Sequence, residues 1–278
     1  MDYVHVAAAL ASAVLHAGWN AAVKAGSQPR ELMTAQMVMS AVIVLPGLLW
    51  TGLPASASWI WIAGSTALNL VTVTALLRAY ELAGFGTVYP VVRALSVMLV
   101  VPLAAGLSGE TLSVAGLIGV GLVSTSLLAL AIGNTGHSAV PRAALGWIAI
   151  AGVTTAAYVM CDAQGVRRAG SPWAYGFAVS ITNAAAMAWR QNVVAWPWRV
   201  ITSHAVTATP IAIAAVASYL LILWVWSVAA IAPAAALRDM SAIFAIVIAV
   251  VWLKEPLTRL RLFALLLAAS AIPLLRFA

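Results

Sequence analysis

Three side chains share one face of the first long apolar stretch. His16, Trp19 and Asn20 are spaced i, i+3 and i+4, so a helix over this stretch places them side by side. A polar stripe is costly against lipid, so we expect it to face the protein interior or a wet cavity. There it can contact a polar solute, or it can join neighbouring helices by hydrogen bonds. We predict solute contact and leave the second role open.

Two arginines, Arg93 and Arg238, stand inside apolar stretches, each a few residues after a proline. Proline removes a backbone donor and can bend a helix, which frees a carbonyl group. A guanidinium group suits a carboxylate or phosphate, because its planar fork binds such groups with two hydrogen bonds. We predict that both arginines face one central chamber and bind the anionic end of a solute. The alternative is an internal ion pair, for which Asp239 and Asp162 are available to Arg238.

Aromatic residues occur in the same apolar stretches as these polar groups. Aromatic walls with a few fixed polar groups are typical of small-molecule pockets. Trp and Tyr also concentrate at the membrane interface, where they serve only as anchors. Five aromatic residues are candidates for such a wall: Tyr80, Tyr89, Tyr158, Trp224 and Trp226. We assign all of them except Trp226 to the solute pathway.

Acidic residues in the apolar regions have structural explanations. Asp162 precedes Arg167 and Arg168, which predicts an ion pair with these cations; titration during substrate movement is the alternative. Glu110 and Glu255 stand at equivalent hairpins beside turn residues, which predicts helix starts and caps and not a proton relay. The sequence has one cysteine, no His-rich or acidic cluster and no hydrolase motif, so we predict no catalytic residue, no metal site and no cofactor.

Part of the chain occurs twice, with each matching pair 145 positions apart. The first copy holds Arg93, Ser96, Glu110, Leu112, Leu117 and Leu122, and the second holds Arg238, Ser241, Glu255, Leu257, Leu262 and Leu267. Duplication within a very apolar chain is typical of membrane transporters built from two related halves.

Composition places these residues in a membrane. Hydrophobic residues make up 64% of the 278 residues and charged residues 8%, whereas a soluble domain carries about 25% charged residues. The net charge of +7 comes mostly from basic residues in short breaks between apolar runs. No basic patch with interleaved aromatics is present, so we expect the lipid bilayer and a small-molecule substrate as partners, and no nucleic acid.

Ten apolar stretches are long enough to cross a bilayer as helices. Two sets of five helices in one chain must enter the membrane in opposite senses, because five is odd. We therefore predict an all-α membrane protein with ten transmembrane helices as two inverted five-helix repeats, residues 1–137 and 138–278, around a site near mid-membrane. The predicted spans are about 3–23, 32–50, 59–82, 86–106, 112–132, 143–163, 172–190, 209–229, 234–253 and 259–276.

Four short segments, in this order along the chain, carry a resemblance to a known family. They are LHAGWNAAVK (15–24), VYPVVR (88–93), DAQGVRRAGS (162–171) and LKEPLT (253–258). With the two five-helix halves, they make the chain resemble ten-helix transporters of the EamA type in the drug/metabolite transporter superfamily. The resemblance implies export of small metabolites, such as amino acids, across a bacterial inner (plasma) membrane by alternating access.

The resemblance does not fix the substrate, because the superfamily also contains nucleotide-sugar, sugar-phosphate and multidrug carriers. Small multidrug carriers depend on an acidic residue in the middle of the first helix. Here the first span has no Asp or Glu after Asp2, which argues against obligate proton antiport of that type. We expect a monomer or a weak homodimer.

Two arguments disagree on the membrane orientation. The resemblance implies that both termini are cytoplasmic, which places only Arg167, Arg168 and Arg276 in cytoplasmic segments. The positive-inside rule favours the reverse. The cations that would then be cytoplasmic are Lys24, Arg30, Arg142, Arg190, Arg199, Lys254, Arg259 and Arg261.

Two other functions are alternatives to metabolite export. A flippase for a lipid-linked or amphipathic metabolite uses the same fold and would need a groove open to lipid between helices. An intramembrane enzyme would need a nucleophile with a base, paired carboxylates or metal ligands, and the sequence offers none of these constellations. We therefore predict a transporter that is not an enzyme.

Overall fold

The computed structural model describes residues 1–83, 85–134, 140–192, 197–251 and 257–278. Within these ranges the chain forms eleven α-helices and a turn of 3₁₀ helix (Ser56–Ser58), with no β-strand. The predicted repeat boundary at residues 137 and 138, and Lys254 and Glu255, lie outside the described ranges. The helices are α1 (Tyr3–Ala25), α2 (Pro29–Thr51), α3 (Trp59–Ala83), α4 (Phe85–Ser108), α5 (Val114–Asn134), α6 (Arg142–Arg168), α7 (Pro172–Asn192), α8 (Pro197–Val228), α9 (Ile231–Asp239), α10 (Ser241–Val251) and α11 (Arg259–Arg276).

Eight helical segments of the described chain are long and apolar enough to cross a bilayer, which supports a multi-pass, all-α membrane protein. The ten predicted spans include two more, at α7 and α11. The α11 helix carries three arginines within 18 residues, and α7 interrupts its apolar residues with Asn183, Arg190 and Gln191. The charges of α11 and the polar residues of α7 set these two helices apart from the other eight.

The ninth predicted span is not one continuous helix. A turn at Met240 separates α9 from α10, and Met240 itself has φ −60° and ψ −5°. The sequence prediction of a single helix over 234–253 was wrong at this point, because no Gly or Pro marks the break. Together α9 and the first part of α10 (Ile231–Ile248) still supply one apolar crossing.

The eighth helix begins earlier than predicted. We expected a polar break from Arg190 to Thr209, but α8 starts at Pro197 and continues for 32 residues. Proline is well tolerated at the first helical position, where its missing N–H has no intrahelical acceptor. At about 1.5 Å per residue, α8 spans about 48 Å and exceeds the hydrocarbon core of about 30 Å.

The helices pack around a centre formed by α1, α4, α6, α8 and α9. The α1 helix lies against α8, α3 against α6, α4 against α5 and α6, and α5 against α11, while α2 contacts both α7 and α8. Close approach depends on small residues, as is usual in membranes. At Gly152 of α6, for example, Leu95 of α4 occupies the space that a larger side chain would need.

Candidate functional site

A cavity of about 150 Å³ lies among α1, α2, α3, α4, α6, α7, α8 and α9. It is lined by polar and aromatic side chains that come from both the first and the second half of the chain. Most residues that the sequence singled out border it: His16, Trp19, Asn20, Tyr89, Arg93, Tyr158 and Arg238. We call this space the central cavity.

The α1 helix is held in place by a reciprocal pair of hydrogen bonds to α8. Ser12 Oγ donates to Ser218 O at 2.7 Å, and Ser218 Oγ donates to Ser12 O at 2.7 Å. Both serines are buried. One turn further on, the same face of α1 presents His16 to the central cavity, so this serine pair fixes the depth of the predicted contact surface.

Arg93 forms a buried network with partners from two other helices, α1 and α9, and with Tyr89 on its own helix. Its Nη1 donates to Asp239 Oδ1 at 3.0 Å, and its Nη2 lies 2.7 Å from His16 Nε2. The guanidinium also stands over the Tyr89 ring, 5.0 Å from its centroid. The ion pair that the sequence left open for Arg238 and Asp239 is therefore made by Arg93, because Asp239 ends α9 and faces α4.

The contact with Arg93 assigns the tautomer of His16. An arginine can only donate, so His16 Nε2 must accept and the ring proton resides on Nδ1. His16 Nδ1 is buried and has no hydrogen-bond partner among the described residues. It is therefore an unused N–H donor on a residue that borders the cavity.

Arg238 is buried, with 5% of its surface exposed, and it borders the central cavity. Its guanidinium lies over Trp226, 5.6 Å from the ring centroid, and its Nε has no hydrogen-bond partner. Within the described residues it makes no ion pair. A buried cation with no counter-ion in contact is costly, and a cation–π contact offsets only part of this cost. Arg238 is thus the strongest candidate in the cavity for binding an anionic group.

Asp162 is a cavity residue that the sequence assigned to another role. Its Oδ1 accepts from the Tyr175 hydroxyl at 3.2 Å and its Oδ2 from the Tyr219 hydroxyl at 2.9 Å. The predicted ion pair with Arg167 or Arg168 was wrong. Those residues are five and six positions beyond Asp162, so a helix turns them to other faces.

Tyr80 and Trp224 lie apart from the central cavity. Tyr80 borders a second, wider cavity of about 820 Å³ at the end of the molecule where α1 and α3 finish, together with Lys24, Arg30 and Glu81. Trp224 borders neither of these two cavities, and its ring packs against His5 at 5.2 Å between centroids. We call the wider cavity the vestibule. It shares Asn20 and Met33 with the central cavity, so the two spaces adjoin.

The opposite end of the bundle is closed by polar contacts between the two halves of the chain. Arg167 Nη2 donates to Glu110 Oε1 at 2.9 Å, and Glu110 Oε2 accepts from the backbone N–H of Ile231 at 2.7 Å. Gln164 also donates to Ser108. The expected capping role of Glu110 is present, but on α9, 121 residues away, and not on its own helix. We call these contacts the closed end.

No family model matches this chain, and no curated protein matches it. Several solved structures do match, and one of them, a crystal structure of a protein, superposes with a TM-score of 0.72 and 14% sequence identity. The superposition covers 97% of this chain and 94% of the other chain. At this identity the likeness shows the shared fold alone, over nearly the full length of both proteins.

Proposed function

We propose that this protein is a transporter of small polar metabolites such as amino acids, exporting them by alternating access. The observation that carries the proposal is the central cavity itself, which is bordered by a buried arginine with no ion-pair partner in contact and which adjoins the vestibule. An arginine beside the central cavity that has no counter-ion in contact can bind an anionic solute. The EamA-like segments are consistent with this function and with an inner-membrane location.

The packing of the helices supports two inverted repeats. Exchanging α1 with α6 and α3 with α8 maps the α3–α6 contact onto α1–α8. With α4 corresponding to α9 and α10 together, the α4–α6 contact maps onto the contacts of α1 with α9 and α10. With α2 corresponding to α7 and α5 to α11, the α2–α7 and α5–α11 contacts map onto themselves. Reciprocal contacts of this kind are expected from a two-fold axis between halves, and the central cavity lies among the helices that this axis relates.

Alternating access needs a closed end that can open. The Glu110–Arg167 pair fits this requirement, because it joins the loop after α4 to the end of α6. Its side chains are only partly buried, so breaking it costs less than breaking a fully buried pair. Opening here with closure at the vestibule would expose the same cavity to the other side of the membrane.

The polar vestibule favours a water-soluble solute over the alternative, a flippase for a lipid-linked metabolite. Lys24, Arg30, Glu31, Glu81 and Arg190 line it, and these side chains suit a path through water. A lipid chain would instead need an apolar opening between helices.

Counterflow in vesicles tests the proposal directly. Purified protein is reconstituted in vesicles loaded with all twenty proteinogenic amino acids, and uptake of the radiolabelled mixture is measured. We expect accumulation above protein-free vesicles. Ala215→Trp, which fills the central cavity from α8, should abolish it, whereas Ile213→Trp on the exposed face of the same helix should not. Equal uptake with and without folded protein would contradict the proposal.

A further inference from the structure

Two opposite charges, Arg238 and Asp162, border the central cavity and attract each other, but among the described residues they form no contact ion pair. Within the residues that the structure describes, Arg238 has no ion-pair partner in contact, and Asp162 is held by the hydroxyl groups of Tyr175, Tyr219 and Ser65. Both side chains are buried, with Asp162 only 1% exposed. A buried charge left unpaired is costly, so two of them beside one cavity call for an explanation.

Asp162 keeps room for a further hydrogen-bond donor. A carboxylate offers about four acceptor positions. The two tyrosines occupy one on each oxygen, and the Ser65 hydroxyl occupies a third. The donors come from α3, α7 and α8 and fix the orientation of the carboxylate on α6. Because Tyr219 also borders the cavity, the fixed carboxylate and one of its donors both adjoin the space where a solute would sit.

The other charges around the cavity are already balanced. Arg93 is paired with Asp239 at 3.0 Å, and its contact to His16 requires a neutral imidazole. Arg238 and Asp162 therefore remain as one positive and one negative group, and the formal charges around the cavity sum to zero. A solute with one charge of each sign matches this arrangement, while a simple anion or a simple cation would leave one protein charge unpaired.

We infer that Asp162 and Arg238 form a two-ended binding site for a zwitterionic α-amino acid, in which Asp162 binds the ammonium group and Arg238 binds the carboxylate. The inference rests on the proposed transport function and narrows it to a substrate that carries both charges. The cavity of about 150 Å³ suits a molecule of this small size. Trp19, Met33 and Val73 supply apolar surface in the same cavity for a side chain.

Matched inhibitors test the inference on the unmodified protein. Counterflow of the labelled amino-acid mixture is inhibited by two triplets, each with one shared side chain: L-alanine, ethylamine and propanoate, and L-leucine, 3-methylbutylamine and 4-methylpentanoate. We expect at least one amino acid to inhibit at a concentration about 10-fold or more below those of its amine and its acid, because each of these lacks one charge-assisted contact. Equal inhibition by an amine or an acid in both triplets would overturn the inference.

Variants then assign each end of the site. In Asp162→Asn, which keeps the shape of the side chain, the preference for the amino acid over the acid should fall to about one. In Arg238→Gln, the preference over the amine should fall in the same way. Asp2→Asn is the control, because Asp2 is 87% exposed and far from the cavity. Unchanged preferences in Asp162→Asn would overturn the inference, even with full transport.

Loss of the proposed transport function and loss of the two-ended site alone would give different results. If the folded protein moves no amino acid at all, the proposed function fails, and the inference fails with it. If the protein transports amino acids without preferring them to their amines or acids, the transport function stands and only the two-ended site is overturned. A loss of folding in Asp162→Asn leaves the inhibitor series on the unmodified protein to decide.

Discussion

Arg93 and Asp239 form a buried ion pair, with 3.0 Å between Arg93 Nη1 and Asp239 Oδ1. Asp239 is the last residue of α9, next to the turn at Met240 that interrupts the ninth crossing. The pair therefore links the break in one half of the chain to α4 in the other half. It also removes Arg93 from the set of unpaired charges and leaves that role to Arg238.

Breaking this pair from one side should destabilise the protein. In Asp239→Asn, Arg93 loses its counter-ion while it stays buried, which costs about 3–5 kcal/mol in buried pairs. We expect a clearly lower melting temperature in detergent. Removing both charges, with Arg93→Met and Asp239→Leu together, should recover much of the loss. A double variant less stable than Asp239→Asn would contradict this reading.

The serine pair between α1 and α8 should act as one unit. Ser12→Ala removes one of two reciprocal hydrogen bonds, which lowers stability by about 1 kcal/mol or more because a buried carbonyl loses its donor. Ser218→Ala should have a similar effect. A double-mutant cycle on melting temperature should show that the two effects are not additive, as expected of residues in contact. Fully additive effects would mean that the two bonds form independently.

Two glycines on α6 provide a matched test of helix packing. At Gly152 an added methyl group would collide with Leu95, so Gly152→Ala should destabilise the protein by about 1–3 kcal/mol. At Gly146, six residues earlier on the same helix, nothing lies within 4 Å of the added group. Gly146→Ala should be neutral or stabilising, because Ala favours helix by about 1 kcal/mol over Gly. Equal effects at both sites would contradict the described α4–α6 contact.

The closed end should open more often when its ion pair is weakened. Glu110→Gln keeps an acceptor for the N–H of Ile231 and loses the charge that holds Arg167. A partly exposed pair contributes up to about 1 kcal/mol, so we expect a rise of about threefold in the accessible state. The measurement is the rate at which a polar maleimide labels Ser227→Cys in a Cys161→Ala background. Ser227 is partly buried and follows Trp226, whose carbonyl accepts a hydrogen bond from Arg167 at the closed end.

Glu31→Gln serves as the control for this measurement, since Glu31 lines the vestibule at the other end. With Glu31→Gln added, the labelling rate at position 227 should match that of the parent protein, which carries only Ser227→Cys and Cys161→Ala. If Glu110→Gln labels no faster than Glu31→Gln, then the Glu110–Arg167 pair does not hold the closed end shut.

Much of the helical architecture could be predicted from the sequence, because long apolar runs leave the backbone no other way to satisfy its polar groups. The turn at Met240 could not, since no local residue type marks it, and the neighbouring Asp239 pairs with Arg93 of α4, far away in sequence. The same limit applies to Asp162. Its nearest cations in sequence suggested an ion pair, whereas its observed partners lie 13 and 57 residues away on other helices.

In contrast, the location of His16, Arg93 and Arg238 at one cavity could be predicted from the sequence. Helical spacing predicted the face of α1, and the duplication predicted equivalent positions for the two arginines. Which arginine is neutralised could not be read from the repeat, because the first copy has Ala94 where the second has Asp239. That single difference makes Arg93 a structural partner and leaves Arg238 unpaired.

One variant tests the central claim that Arg238 is kept unpaired for the substrate. In Arg238→Met, counterflow of the amino-acid mixture should fall at least about 10-fold, because the charged contact to the solute is lost. The melting temperature of the substrate-free protein should rise or hold, because an unpaired buried charge is removed. Arg142→Gln, at the exposed start of α6, is the control. Unchanged counterflow in Arg238→Met, with the protein folded, would contradict the account.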